Sequence, residues 1–167
     1  HPDSEQLDSA RTDLRQQKIA REGLTRNAQQ SATTLDGHRV EVAANIGSAT
    51  DARRAVELGC DGVGLLRSEF LFHGRRAAPS ESEQRTRYEE IARTLGPQRA
   101  LVVRTLDVGG DKPLPYMPQA EEENPFLGVR GLRLSFRHPQ IFRDQLRAVL
   151  AAAQHTRLHL MFPMVAQ

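Results

Sequence analysis

Apolar positions change their spacing near residue 38, and that change divides the chain. Before it, Leu7, Ala10 and Leu14 keep a helical spacing that breaks at Ile19, in a stretch without aromatic side chains. So narrow a stripe predicts a polar helix that lies on another domain as a connector, not a core element. Ser31 to Gly37 then reads as linker, so residues 1–36 are expected to be an interdomain linker helix and loop.

From His38 a strand–helix pattern takes over. Val40, Val42, Ala44 and Ile46 alternate with Arg39, Glu41, Ala43 and Asn45, which predicts a first strand. Ser48, with Asp51 three residues on, predicts a helix start, and Gly59 its end. Gly62 to Leu66 is the second strand. Ser80 and Glu83 form a capping box for the next helix, whose apolar face is Tyr88, Ile91, Ala92 and Leu95 and which stops at Gly96-Pro97. Leu101 to Arg104 is the third strand. After an excursion rich in Gly, Pro and acid from Asp107 to Pro125 come two helical stretches. The second has Pro139 in its first turn and Phe142, Leu146, Val149 and Leu150 on one face; Leu158 to Val165 is the fourth strand. Alternation of this kind implies parallel pairing through right-handed crossovers. A closed barrel of this class takes about 250 residues. The α/β reading is therefore an incomplete (β/α) TIM-type barrel of about four strands, with residues 37–167 as its N-terminal half.

Composition narrows the partners. The 23 Lys+Arg are interleaved with 21 Asp+Glu, leaving a net charge of +2, and there is no tryptophan. Despite a pI of about 9.1, no basic stripe or set of stacking aromatics marks a nucleic-acid surface. No apolar run approaches the roughly 20 residues that cross a bilayer, and the amino terminus lacks the apolar core of a secretory signal. Neither membrane insertion nor export is expected. Cys60 is the only cysteine; it excludes an intrachain disulfide, suits a reducing cytoplasm and reads as a small structural residue.

The chemistry concentrates at two strand ends. Gly62-Val63-Gly64-Leu65-Leu66 runs into Arg67, and Ala100-Leu101-Val102-Val103 runs into Arg104. Loops at the carboxyl ends of parallel strands form the active face. Two guanidiniums delivered there make a fork for phosphate or carboxylate oxygens; the other reading is a pair of surface arginines capping strand ends in salt bridges. Glu69 is an orienting group or a simple ion-pair partner. Asp107 and Asp111 orient Arg104 or a neighbouring arginine, or belong to a solvated turn. Gly109-Gly110-Asp111-Lys112 lacks the upstream glycine and the Ser/Thr after Lys of a nucleotide-binding loop. His38, His73, His138, His155 and His159 share no metal-ligand spacing.

Three segments, residues 62–72, 103–112 and 122–133, in this order and spacing resemble phosphoenolpyruvate–protein phosphotransferase, enzyme I of the bacterial sugar phosphotransferase system. Ala44-Asn45-Ile46-Gly47 and Met161-Phe162-Pro163-Met164 match that family as well, and the resemblance runs from about Leu35 to the end. Ser68, where threonine is usual, and Leu66, where an aromatic is common, depart from the pattern without disturbing a charged position. The resemblance implies a barrel that binds phosphoenolpyruvate (PEP). It further implies magnesium-dependent transfer of the phosphoryl group to a histidine on a separate domain, and then to a small phosphocarrier protein in sugar uptake, by a homodimer. On this resemblance Arg67 and Arg104 hold the substrate phosphate, Arg130 is a third basic position of the pocket, and Glu69, Asp107 and Asp111 stand behind them. The magnesium carboxylates and the proton-donating cysteine fall outside this stretch. No catalytic residue or metal ligand is therefore expected here, and the chain alone is expected to be catalytically incomplete. Pyruvate phosphate dikinase and phosphoenolpyruvate synthase share a related barrel, but Asp107 to Lys112 favours the phosphotransferase. A non-catalytic dimerisation module is the remaining alternative.

Overall fold

The computed structural model describes residues 3–109, 114–120 and 122–165. Strands β1 (Ala43–Ile46), β2 (Gly62–Arg67), β3 (Ala100–Arg104) and β4 (Arg157–Met161) form a parallel four-stranded sheet in the order β1-β2-β3-β4. Helix α1 (Ser4–Asn27) precedes it, α2 (Ala49–Glu57) joins β1 to β2, and α3 (Glu81–Leu95) joins β2 to β3. Helices α4 (Gly131–Arg137) and α5 (Pro139–Ala151) lie between β3 and β4. Sequential parallel neighbours joined through helices are consistent with part of an α/β barrel.

One face of the sheet is covered by helices. Ile46, Val63, Leu66, Leu101 and Val103 pack with Ala52, Tyr88, Ile91, Leu95, Ala148 and Val149. Strict alternation from Val63 would put Leu65 and Arg67 on this covered face. A bulge prevents it. Val63 pairs with Leu101 and Leu66 with Val103, so Gly64 and Leu65 together oppose Val102 alone. The extra residue shifts the parity of the strand. Leu66 is thereby buried, and Arg67 becomes the register partner of Arg104.

Local chemistry explains the helix ends. The Ser48 hydroxyl accepts the Asp51 N–H at 3.1 Å, and the Asp51 carboxylate accepts the Gly47 N–H at 3.0 Å. That backbone N–H, with Ser48, holds the Asp51 carboxyl below the usual carboxylate range. Gly59 ends the turn after α2 with φ +80, and a Cβ there would come within 2.1 Å of the Ala28 carbonyl oxygen; no other residue fits. At α3 the capping box closes in both directions, the Ser80 and Glu83 side chains each accepting the other residue's N–H. Arg75 donates to Glu83 at 2.9 Å. This guanidinium, then the backbone and hydroxyl of Ser80, hold the Glu83 carboxyl down from 4.5 to about 2. A carboxyl depressed on folding stabilises above its unfolded value and loses that contribution as pH falls through its folded value. Chemical denaturation of the native chain and the Glu83→Gln variant should therefore differ by a constant amount above about pH 5. The difference should close between about pH 4.5 and 2.

Three expectations from the sequence need correction. The first strand begins at Ala43 instead of Val40, because the Val42 N–H goes to the Asp61 side chain at 2.9 Å and not to a strand. The expected linker holds a small local hairpin over residues 31–40. Thr33 bridges Arg39 antiparallel, the Val40 N–H reaches the Ala32 carbonyl at 2.8 Å, and the turn carries Gly37 at φ +87. On α5 the buried residues are Gln145, Ala148 and Val149, whereas Leu150 is exposed; the inward face is rotated by about one residue from the face of Phe142, Leu146, Val149 and Leu150. The fourth strand stops at Met161. Pro163 has no N–H to continue a ladder, and Met164 turns the backbone at φ +60. Helix α1 forms as expected, and Leu14, Ile19 and Leu24 on it remain exposed.

A second apolar cluster lies beneath the excursion after β3. Phe72, Leu106, Val108, Leu114, Met117 and Leu134 are buried together, and the Tyr116 hydroxyl donates to the Phe72 carbonyl at 2.7 Å. Such packing anchors an otherwise irregular segment and holds Asp107 and Arg130, which border it, at the carboxyl end of the sheet.

Candidate functional site

The site is built at the ends of β2 and β3. Arg67 closes β2 and leads into a short 3-10 turn, Ser68–Leu71, which carries Glu69 and Phe70. Its guanidinium lies over the Phe70 ring, 4.7 Å from the centroid. Among the described residues no carboxylate stands within ion-pair distance of Arg67, which is exposed. Arg67 also borders a cleft of about 630 Å³ that includes Asn45, Ser48, Asp51, Phe70 and Glu90. Neither Arg104 nor Arg130 lines that cleft. It lies beside the Arg104–Arg130 network and not over it.

Arg104, the register partner of Arg67, is held differently. Its Nη2 donates to Glu69 Oε1 at 2.7 Å and its Nη1 lies 3.4 Å from Asp107 Oδ2. The other oxygen of Asp107 accepts Arg130 Nε at 3.1 Å. Glu69, Arg104, Asp107 and Arg130 thus form one continuous chain of charges, with side chains 13%, 21%, 7% and 14% exposed. Such burial demands pairing, and two carboxylates balance two guanidiniums. Arg67 stands outside this network without an ion pair among the described residues, and its charge reaches the Asp51 carboxylate across the cleft that the two share. Within the network, Arg104 Nε is buried and has no acceptor, and Glu69 Oε2 is buried and has no donor.

Of the residues singled out from sequence, the structure brings Arg104, Arg130, Glu69 and Asp107 into direct contact. It places Arg67 opposite Arg104 without such a contact. Glu69 pairs with the arginine of the next strand and not with Arg67, two residues before it. Asp111, with Gly110 and Lys112, lies outside the described residues. Gly109 is buried where a Cβ would come within 3.0 Å of Arg130 Cβ, so its missing side chain makes room for that arginine. Two aromatic partners escaped the sequence reading: Phe70 beneath Arg67, and Phe126, whose ring centroid is 4.9 Å from Arg130 Cζ. Their signal is an aromatic three or four residues from each arginine, close enough to meet it in a turn.

Among the described residues no group of three or more His, Cys, Asp or Glu could hold a metal ion. Glu69 and Asp107 already accept from arginines, so these residues do not fit the magnesium ion that the resemblance implies. Burial pushes the Cys60 thiol up, away from thiolate reactivity. No helix among the described residues is long and apolar enough to cross a membrane.

Residues 21–167 match the family described as PEP-utilising enzyme, PEP-binding domain. The chain is 51% identical over 135 residues to the phosphoenolpyruvate-protein phosphotransferase of Staphylococcus carnosus (strain TM300), covering 81% of this chain and 23% of that protein. The protein of the same name from Buchnera aphidicola subsp. Schizaphis graminum (strain Sg) is 46% identical over 134 residues, 80% of this chain and 23% of that protein. The multiphosphoryl transfer protein of Xanthomonas campestris pv. campestris is 43% identical over 166 residues, covering 99% of this chain and 20% of that protein. The chain therefore spans less than a quarter of the length of these curated relatives.

Proposed function

Because the chain belongs to the PEP-utilising enzyme, PEP-binding domain family, we propose that Arg67, Arg104 and Arg130 bind the phosphate end of phosphoenolpyruvate. The chain then serves as the substrate-binding part of a phosphoenolpyruvate–protein phosphotransferase. One observation carries the reading. Arg104 presents a buried Nε–H without an acceptor, across the strand pair from Arg67, which has no ion-pair partner among the described residues. A buried donor left unpaired costs about 1–3 kcal/mol, and a phosphate oxygen would satisfy it.

The chemistry suits the residues. Phosphoryl transfer is chiefly a matter of holding the group in line and neutralising its charge. Glu69 and Asp107 hold the Arg104 plane from two sides, and Asp107 extends that constraint to Arg130. Arg67 supplies the positive charge that these carboxylates do not cancel. Lysine in these positions would offer charge without the planar pair of donors.

In this reading the sheet is the N-terminal half of a closed barrel in a cytoplasmic homodimer. The phosphoryl group passes to a histidine and on to a phosphocarrier protein in sugar uptake, and magnesium ligands come from other residues. The direct test is titration of the full chain with PEP and with inorganic phosphate, followed by calorimetry. Saturable binding of PEP, with the Arg104 Nε–H signal shifting in the NMR spectrum, is expected. Heats that never saturate, or a silent Arg104 signal, would refute the assignment.

A further inference from the structure

Gln145 is a buried polar side chain that the arginine chemistry does not use. It is 1% exposed and comes from α5, on the helical layer behind the sheet. Its Oε1 accepts the Leu106 N–H at 2.9 Å. Its Nε2 donates to the Ser68 hydroxyl at 3.1 Å and to the Tyr88 hydroxyl at 3.2 Å. Both donors and the acceptor of one amide are therefore engaged, and no partner lies in its own helix.

The partners sit at telling places. Ser68 lies between Arg67 and Glu69, and Leu106 lies between Arg104 and Asp107. Ser68 is 0% exposed, so its backbone cannot shift without moving the hydroxyl in the core. Leu106 is 4% exposed and follows the end of β3, where Gln145 supplies the carbonyl that its N–H needs. We propose that Gln145 is a positioning residue, whose amide ties the Arg67–Glu69 turn to the Arg104–Asp107 turn and so sets the spacing of the arginines. The proposal rests on the reading that these arginines hold a phosphate. A planar amide suits the task because its donors and acceptor diverge at fixed angles. Glutamate lacks the donors, and methionine of similar length lacks both.

The test compares Gln145→Met, Ser68→Ala, Ser68→Thr and the core control Val149→Ala in the full chain. Measurements are PEP and phosphate affinity, the thermal midpoint, and the NMR signals of the Leu106 amide and the Arg104 Nε–H. Gln145→Met should weaken PEP binding at least tenfold, remove protection of the Leu106 amide from exchange and move the Arg104 Nε–H signal. Ser68→Ala should weaken binding severalfold, and Ser68→Thr, which keeps the hydroxyl, should stay within about twofold of the native chain. Val149→Ala should lower the thermal midpoint with affinity within about twofold. If Gln145→Met does not fold, the Ser68 pair decides: equal affinities for its alanine and threonine variants overturn the proposal. So does an affinity loss in Val149→Ala equal to that in Gln145→Met. Should the native chain bind neither PEP nor phosphate, the proposed function fails, yet the tie is still judged by NMR. Leu106 and Arg104 signals that move together in Gln145→Met support it, and an unmoved Arg104 signal overturns it.

Discussion

Arg104→Ala is expected to cost both ligand and fold. The guanidinium is the shared partner of Glu69 at 2.7 Å and Asp107 at 3.4 Å, carboxylates only 13% and 7% exposed. Removing one member of a buried pair strands the other charge, at about 3–5 kcal/mol. Asp107 keeps Arg130, so the lower end applies. For a chain of this size about 3 kcal/mol corresponds to roughly 10 °C in the thermal midpoint. Binding should fall further, because charge-assisted hydrogen bonds contribute about 1.5–3 kcal/mol each. Losing two of them predicts a drop in PEP affinity of at least about a hundredfold. Arg104→Lys sharpens the test. One ammonium cannot reach Glu69 and Asp107 and still present the donor now at Nε. It should recover part of the stability and little of the affinity; native affinity with lysine would mean that Arg104 acts as a point charge alone.

Arg67→Ala is expected to separate these two effects. Arg67 is exposed and pairs with no carboxylate among the described residues. It lies over the Phe70 ring at 4.7 Å, an exposed cation–π pair of about 0.5–1 kcal/mol, and reaches the Asp51 carboxylate only across the open cleft. The thermal midpoint should fall by no more than about 3 °C. PEP affinity should nevertheless drop about ten- to a hundredfold, from one or two charge-assisted bonds. Calorimetric titration and thermal unfolding on the same sample check both. A midpoint as low as that of Arg104→Ala, with binding intact, would place Arg67 in the architecture and not in the site.

Short-range rules read correctly where the interaction spans only a few residues. Ser48 with Asp51 and Ser80 with Glu83 start their helices because each hydroxyl meets an N–H three positions away. Gly59 and Gly96 mark helix exits at φ +80 and +73. The positions of Arg67 and Arg104 at strand ends were likewise visible, since each follows an apolar run that must pair in a buried sheet. The α5 face was misjudged because Gln145 looks polar; its three partners lie 39, 57 and 77 residues away.

Periodicity, capping and turn residues thus settle in one dimension which stretches become strands or helices, and which side chains arrive at the carboxyl ends. They do not settle which way those side chains turn or which charge meets which. The bulge at Gly64-Leu65 takes shape only when β2 pairs with β1 and β3, and it brings Arg67 into register with Arg104. Glu69 finds Arg104 across 35 residues and Asp107 finds Arg130 across 23. Ion pairs and buried amides take their partners from whatever packing brings within about 3 Å, and that neighbourhood comes into being only when the helices close over the sheet.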